Sequence, residues 1–445
     1  MILSDDFQPT LETKLPWYDT AIFMPSADIP RALELLHAVD DDTRWMYFNN
    51  VIGRPGSAAQ SLDWNAGLFW IKILTESCER MWPRMLEFRP RAFERMNELK
   101  EQAKEYYLNY VQMLGCPKEH CAHKEVELAT GVIGCADGET VLPVVALIYR
   151  QIMQIRGDGV QPGIFVDAGS NAGKFTSKVY SLLGDLYSRR LQAERPGIQK
   201  YVVCPVHDDQ PQVKVVSIEP SPHNWAMLKT FAMRDRWDLE GWVGVNAAIS
   251  DFDGHANLYL NPEFELDEVA TLLPSKKEIE SGNLRHSENV TVVSLNTIIK
   301  ENQIPRKHQG DPDIFMMKLD VEGAEMKVIA HAFELWESRR IKFMVFEYSK
   351  SVWEVTGGSL WYAQKFMFAR GYMCFIITAD AMLPIFHMLY DDIYASLVWS
   401  NVFCGHMDDP DLFDFLTMYH PKDTQILDIV KDYLEILNGS EKYGP

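Results

Sequence analysis

The stretch IFVDAGSNAGKF, residues 164–175, joins a short apolar run to a glycine loop. Ile164, Phe165 and Val166 predict a buried strand. Gly169 allows a sharp turn, and Gly173 removes a side chain where a ligand could approach the backbone. The N–H groups that open the next helix then offer hydrogen-bond donors. The stretch therefore predicts a strand, a loop and a helix with a ligand site at the loop.

The spacing of the two glycines, G-x-x-x-G, narrows the class of ligand. It lacks the middle glycine of a dinucleotide-binding loop and the Lys-Ser/Thr ending of a phosphate-binding P-loop. A cofactor without phosphates is therefore favoured, and a nicotinamide-dependent oxidoreductase is the alternative. Close packing of a strand against a helix can also produce this spacing.

Strand and helix patterns alternate along the chain after residue 126. Ser221 is predicted to cap a helix with Pro222 in its first turn, and Val328, Ala332 and Leu335 mark the inner face of another helix. This alternation predicts a parallel sheet with helices on both faces. Further strands are predicted at 213–219, 241–250, 313–320, 342–347, 372–378 and 394–404, the last two as a hairpin, and an extra hairpin within 254–294 beside the ligand crevice.

The first 125 residues have a different composition, rich in Trp, Met and Arg. From Phe93 to Leu114 apolar residues recur every three or four positions, which predicts one long amphipathic helix. Three regions are therefore expected: a helical N-terminal region at 1–125 that forms a substrate cap or a surface for a partner protein, an α/β domain at 126–408, and a helical tail at 409–445.

Charge and cysteine content exclude several classes of protein. The 445-residue chain has a formal net charge of −20, which disfavours nucleic acid and anionic membrane surfaces as partners. Its seven scattered cysteines do not form a disulfide framework, so reduced thiols are expected. We find neither a secretory signal pattern nor a stretch of about eighteen uncharged apolar residues that could span a bilayer. A cytoplasmic protein is expected.

Polar side chains come at the ends of four predicted strands. They are Asp167, Glu219, Asn246 and Asp320. In an open parallel sheet these ends form the ligand crevice, and carboxylates there are costly unless they are solvated or matched by a ligand's donors or positive charge. S-adenosylmethionine supplies such groups, since it carries an amine, a ribose and a sulfonium.

Five segments together resemble one family in their order and spacing. VDAGSNAGKF, SIEPSPHNWAML, NAAISDFDGHANLYL, VSLNTII and MKLDVEGAEMKVI are similar to the FkbM-like methyltransferases, a branch of the S-adenosylmethionine-dependent class I enzymes. The resemblance covers residues 160–380. It implies an α/β, Rossmann-like sheet of seven strands, mostly parallel with the last antiparallel, and O-methylation of a hydroxyl on a small-molecule or sugar acceptor. The insertion at 190–212 and the N-terminal region depart from the family pattern.

The resemblance also implies roles for single residues. Glu219 would bind the ribose, Asn246 the adenine, and Asp320 the methionine amine or the substrate. The structural alternatives are a helix cap for Asp167, a solvated strand end for Glu219 and a closed turn for Asn246. The methionine part of S-adenosylmethionine would be surrounded by Asp167, Gly169, Asn171 and Gly173.

A hydroxyl acceptor must lose its proton, so a catalytic base is expected near the strand ends. The candidates are Asp320, Glu322 and Glu347. Glu322 and Glu325 also lie at a helix start, where the helix dipole stabilises acids whatever their function. No metal is predicted, although a hard cation on these four carboxylates and zinc on the Cys and His side chains of 116–123 stay open. The alternative function is a methyltransferase-fold scaffold that binds a partner without turnover.

Overall fold

The computed structural model describes most residues of the chain from residue 90 onward. The chain divides into two compact units, one of Met1–Glu98 with Tyr433–Pro445 and one of Leu99–Asp432. The three predicted regions stay predictions, since most of the N-terminal one lies outside the described residues, as do the 116–123 zinc candidate and the insertion at 190–212. The described ranges are 90–113, 137–156, 163–184, 213–239, 241–260, 270–274, 286–302, 312–356, 358–378, 381–391, 393–394, 399–419 and 424–437.

The described residues form helices and strands that alternate over much of the chain. The helices are α1 (Pro90–Met113), α2 (Leu142–Arg156), α3 (Lys174–Leu183), α4 (Pro222–Arg234), α5 (Leu295–Glu301), α6 (Glu325–His331), α7 (Phe333–Glu337), α8 (Lys350–Thr356), α9 (Leu360–Phe368), α10 (Pro410–Tyr419) and α11 (Gln425–Leu437). The strands are β1 (Ile164–Ala168), β2 (Val215–Ile218), β3 (Trp242–Val245), β4 (Ala248–Ser250), β5 (Gly254–Leu260), β6 (His286–Ser294), β7 (Ile314–Leu319), β8 (Ile341–Ser349), β9 (Tyr372–Ile377), β10 (Met382–Pro384) and β11 (Trp399–His406).

Within the described ranges the main sheet has eight strands in the order β10-β9-β11-β8-β7-β1-β2-β3. The neighbours from β8 to β3 are parallel, so their carboxyl ends lie along one edge of the sheet. β11 is antiparallel to both β8 and β9, and β10 is antiparallel to β9. The mixed α/β class, the mostly parallel sheet and the antiparallel last strand are confirmed. The predicted count of seven strands is wrong, because the short β10 adds an eighth strand at the edge.

The segment 241–250, predicted as one strand, is two strands in different sheets. β3 belongs to the main sheet, whereas β4 pairs with β6 in a second sheet of order β4-β6-β5. The chain breaks at Asn246, whose side-chain amide donates to the carbonyl of Glu219 at 2.8 Å. This bond ties the chain to the end of β2 and turns it out of the sheet. The predicted extra hairpin is confirmed, since β5 and β6 are antiparallel partners.

Buried aromatic and aliphatic side chains form the core around β1 and β7. Every residue of both strands is buried, because the sheet is covered on both faces. Tyr149 of α2 contacts Phe165 and Phe315, with ring centroids 5.4 and 4.9 Å apart. Such aromatic contacts stabilise a core beyond the area that they bury.

The helix predictions are confirmed except at one break. The predicted long helix is α1, and Ser221 caps α4 by accepting from the Asn224 N–H, with Pro222 as the first helical residue. The helix predicted around Ala332 is in fact two helices, α6 and α7, which meet at that residue. Ala332 is buried all the same.

Among the described residues one pair of cysteines is bonded, contrary to the expected reduced thiols. Cys374 of β9 and Cys404 of β11 form a disulfide, and they lie directly opposite each other in the antiparallel register. Strand register brings together two residues 30 positions apart, which cysteine spacing alone does not reveal. Among the described helices, none combines the length and the apolar character needed to cross a membrane.

Candidate functional site

The glycine loop after β1 is held against the end of β2. The N–H groups of Gly169 and Ser170 both donate to the carbonyl of Ile218, each at 3.0 Å. Gly169 has φ +76°, and a Cβ there would lie 1.6 Å from the backbone oxygen of Asp320. Glycine is needed at this position because the loops after β1 and β7 pass so close to each other.

Gly173 opens α3 and is needed for packing. It has φ +85°, and a Cβ there would lie 2.6 Å from the Leu228 side chain and 3.3 Å from Trp237. The sequence predicts that Gly173 makes room for a cofactor. The structure instead gives it the function of letting α3 pack closely against α4 and the turn that follows.

Glu219 lies just after β2 and receives hydrogen bonds from two loops. Its Oε2 accepts from the N–H of Asn171 at 2.7 Å, and its Oε1 accepts from the N–H of Ser221 at 2.9 Å. The side chain of Asn224 is a third partner. Burial raises the pKa of Glu219 to about 7 in spite of these bonds. The carboxyl group is therefore fixed in place and about half ionised at neutral pH.

Asp167 lies behind the glycine loop and is fully buried. Its Oδ2 accepts from the hydroxyl of Thr176 at 2.7 Å and from the N–H of the same residue at 3.2 Å. The Thr176 hydroxyl also bonds that of Ser217, which accepts from the indole of Trp242. Burial raises the pKa of Asp167. This predicted cofactor ligand thus links β1 to α3, and it does not line the crevice described below.

Lys318 is a charged residue that sequence reasoning missed. It is nearly buried in the otherwise apolar strand β7, and its Nζ donates to Oδ2 of Asp320 at 2.8 Å. Burial would lower the pKa of Lys318, but Asp320 and Asp167 outweigh it and raise that pKa. The signal in the sequence was a single lysine inside an apolar strand, since a buried charge needs a partner.

Asp320 also meets the end of β8. Asp320, Glu322 and Glu347 each present one carboxylate oxygen, and these three oxygens lie within 4.8 Å of one another. Trp399 of β11 donates its indole N–H to Glu347. We assign no metal to this group, because Lys318 already supplies a positive charge to Asp320. The three predicted catalytic candidates therefore lie together.

Glu325, the first residue of α6, is buried and stabilises the loop after β7. It accepts from the N–H of Val321 at 2.9 Å, from that of Gly323 at 3.0 Å and from the indole of Trp353 at 3.0 Å. Burial raises the pKa of Glu325 to about 7. These bonds support the structural interpretation of Glu325, in which it holds the loop that carries Asp320 and Glu322.

A crevice of about 540 Å³, including solvent at its mouth, lies where the two sheets meet. One wall is polar and comes from the loops after β1, β2 and β7. The other wall is apolar and comes from the small sheet and residues 270–272. Thr271 anchors this second wall, since its hydroxyl donates to the carbonyl of Glu322 at 2.7 Å. The crevice is lined by Gly169, Asn171, Glu219, Pro220, Asn224, Ala248, Ile249, Leu258, Ala270, Leu272, Asp320, Val321 and Glu322.

The crevice brings together some of the predicted site residues and leaves out others. Glu347 lies behind Asp320 and does not line the crevice. Asn246 closes the turn after β3 by donating to the carbonyls of Glu219 and Pro220. Asn171 contributes a buried side-chain oxygen that accepts no hydrogen bond from the described residues. Gly169, Asn171, Glu219, Asp320 and Glu322 line the crevice, whereas Asp167, Gly173, Asn246 and Glu347 do not.

These features define an α/β protein with an open, mostly parallel sheet and a ligand crevice at the carboxyl ends of its strands. Residues 195–375 match the family model of the methyltransferase FkbM domain. This part of the chain is therefore similar to the methyltransferase FkbM domain. The matched range includes the ends of β2, β7 and β8. It begins after the glycine loop, but Gly169 and Asn171 of that loop line the same crevice as Glu219 and Asp320 of the matched range.

A crystal structure is also similar to this chain, at a low level. Methyltransferase FkbM from Methylobacillus flagellatus KT aligns with 61% of this chain and 56% of its own, at 11% identity and a TM-score of 0.28. The alignment thus spans little more than half of that protein. No curated protein matches the chain. The similarity to the FkbM family therefore rests on the match of residues 195–375 to the domain model.

Proposed function

We propose that the protein transfers a methyl group from S-adenosylmethionine to a hydroxyl oxygen of a small-molecule or sugar acceptor. The observation that carries the proposal is the meeting of Gly169, Asn171, Glu219 and Asp320 in one crevice. These residues follow three different strands, so their convergence is a property of the fold. The FkbM domain match supports methyl transfer as the class of reaction.

The two walls of the crevice fit the two chemical halves of the cofactor. Ile249, Leu258 and Leu272 offer an apolar surface for the adenine ring. Asn246, the residue predicted to bind the adenine, donates to the protein backbone and lies outside the crevice lining, so the adenine would be held by the apolar wall. On the polar wall, the Asp320 carboxylate is suited to the methionine amine.

Glu219 would bind the ribose, but through one hydroxyl only. A carboxylate has roughly four acceptor positions, and N–H groups of Asn171, Ser221 and Asn224 already use it. Room is left for one ribose hydroxyl rather than for both. The buried side-chain oxygen of Asn171, which accepts no hydrogen bond within the described part of the chain, is an additional acceptor on the same wall.

The protein's main contribution to methyl transfer is alignment of the acceptor oxygen with the donor. When bound, the cofactor supplies a methyl group on a positively charged sulfur. Asp320 and Glu322 present carboxylates at the crevice wall, and these can accept the proton of an acceptor hydroxyl. The same negative charges would repel an anionic acceptor, which supports a neutral hydroxyl compound such as a sugar.

Calorimetric titration with S-adenosylmethionine tests the proposal, followed by transfer of a tritiated methyl group to a cell extract. We expect the wild type to bind the cofactor and E219A to bind it at least about tenfold more weakly, since hydrogen bonds to charged groups contribute about 1.5–3 kcal/mol. E301A is the matched control, because Glu301 is exposed at the end of α5. It should bind like the wild type.

The results separate the two functional hypotheses. Radioactivity in small neutral products would support O-methylation of a small acceptor. Cofactor binding without transfer to any fraction would instead support the scaffold hypothesis. Absence of cofactor binding by the wild type would contradict the proposed function.

A further inference from the structure

The Asp320–Glu347 contact raises the question of which carboxyl group holds a proton. Each group presents one carboxylate oxygen, and these two oxygens lie within 4.8 Å of each other. Ionised carboxylates have no donor, so a hydrogen bond between two of them requires a proton on one. Like charges this close also oppose ionisation of both groups.

The positions of the neighbouring charges differ for the two carboxyl groups. Lys318 donates to Oδ2 of Asp320 at 2.8 Å, with only 11% of its side chain exposed. Lys174 at the start of α3 acts on Asp320 in the same direction. Burial alone would raise the pKa of Asp320, but these cations outweigh it and hold that pKa below its usual range.

Glu347 faces no cation of comparable effect among the described residues. The acids that act on it are Asp320 and Glu322 from the loop after β7 and Glu325 from α6. From β11, Trp399 offers it a neutral N–H. Burial, followed by the hydrogen bond and charge of Asp320, raises the pKa of Glu347 far above its usual range.

We propose that Lys318 places the shared proton on Glu347, so that Glu347 is a neutral donor that positions an ionised Asp320 at the crevice wall. The consequence of this inference for catalysis rests on the proposed function. The inference changes the role of Glu347, which is one of the predicted catalytic residues. Glu347 cannot accept a proton while it holds one, so it is a positioning residue. Asp320 and Glu322 are then the carboxylates that act on cofactor and acceptor.

Infrared spectroscopy of the ligand-free protein at pH 9 tests where the proton lies. Glu219 and Glu325, whose pKa values are about 7, are mostly ionised at that pH. We expect a carboxylic-acid C=O band that shifts when the glutamate side-chain carboxyls carry carbon-13 and stays in place when the aspartate carboxyls do. This labelling requires no variant. The band should vanish in E347Q and remain in E301Q.

Two infrared results would overturn the proposal. One is the lack of any carboxylic-acid band at pH 9, which would mean that neither group holds a proton. The other is a band that shifts only with aspartate labelling and is lost in D320N, which would place the proton on Asp320; a band that persists in D320N would come from the buried Asp167. Neither result depends on the cofactor, so failure of the proposed function would be seen separately as absence of S-adenosylmethionine binding.

Rescue by the conservative variant tests the positioning role. Glutamine keeps a side-chain N–H donor and a carbonyl oxygen, as neutral glutamic acid does, so E347Q should lose no more than about threefold in S-adenosylmethionine affinity. E347A removes the donor and should lose about tenfold or more. Equal losses in E347Q and E347A would contradict a neutral Glu347. Removal of the cation in K318M should diminish the infrared band, because Asp320 would then compete for the proton.

Discussion

Replacing Glu325 by alanine should destabilise the protein without removing any group that touches the ligand. The carboxylate is 1% exposed and accepts from the N–H groups of Val321, Gly323 and Trp353 at 2.9–3.0 Å. Each buried donor left without an acceptor costs about 1–3 kcal/mol. Some water will enter the space, so we expect E325A to lose about 3–5 kcal/mol of unfolding free energy.

The contribution of Glu325 to the unfolding free energy should also change with pH in a defined direction. Burial raises the pKa of Glu325 from its ordinary value of 4.5 to about 7 in the folded state, so the folded state binds the proton more tightly than the unfolded state does. Its contribution to stability is greatest below pH 4.5 and is lost as pH rises to 7. The shift corresponds to roughly 3 kcal/mol of pH-dependent unfolding free energy. Because E325Q has no titrating group at this position, its unfolding free energy should lack this pH dependence.

Urea unfolding of wild type, E325A, E325Q and the control E301A measures these effects. The exposed Glu301 should change stability by no more than about 0.5 kcal/mol on replacement. If E325A unfolds at the wild-type urea concentration but has lost methyl transfer, the structural role is refuted and Glu325 belongs with the catalytic acids.

Three other perturbations test the crevice. Glu219 has a pKa of about 7, and an ionised carboxylate is the stronger acceptor, so S-adenosylmethionine affinity should rise about tenfold from pH 6 to 8. Calorimetry of E219Q should show an affinity that does not change with pH. A tenfold rise in E219Q would assign the effect to another group. G169A should lose about 3 kcal/mol or more in thermal unfolding, because its Cβ would overlap the Asp320 carbonyl at 1.6 Å; wild-type stability would contradict the loop geometry. T271V removes the 2.7 Å bond to Glu322 and should weaken cofactor binding by about fivefold, while unchanged affinity would show that this wall does not contact the cofactor.

Much of the fold could be predicted from the sequence, because apolar runs and glycines report local structure directly. The strand at 164–168, the cap at Ser221 and the hairpin of β5 and β6 are of this kind. The split at Asn246 could not be predicted, since it depends on a hydrogen bond to the backbone of a distant strand. The disulfide depends in the same way on the register of β9 and β11.

The candidate site was predictable as a set of strand ends, but the contacts of each residue were not. Glu219 and Asp320 follow strands and line the crevice, as strand-end acids in a parallel sheet are expected to do. Asp167 also belongs to a strand end, yet it is turned towards Thr176 and buried. Lys318 was overlooked although a lysine inside an apolar strand signals a buried charge, because the sequence does not show that its side chain turns back to Asp320.

The central claim is that the crevice between the two sheets binds S-adenosylmethionine. A crystal structure of the protein with S-adenosylhomocysteine, the product left after methyl transfer, tests it most directly. We predict a ribose hydroxyl within about 3 Å of a Glu219 carboxyl oxygen and the adenine against Leu258 and Leu272. Density for the nucleoside at any other site, or a crevice that stays empty at saturating concentration, would contradict the claim.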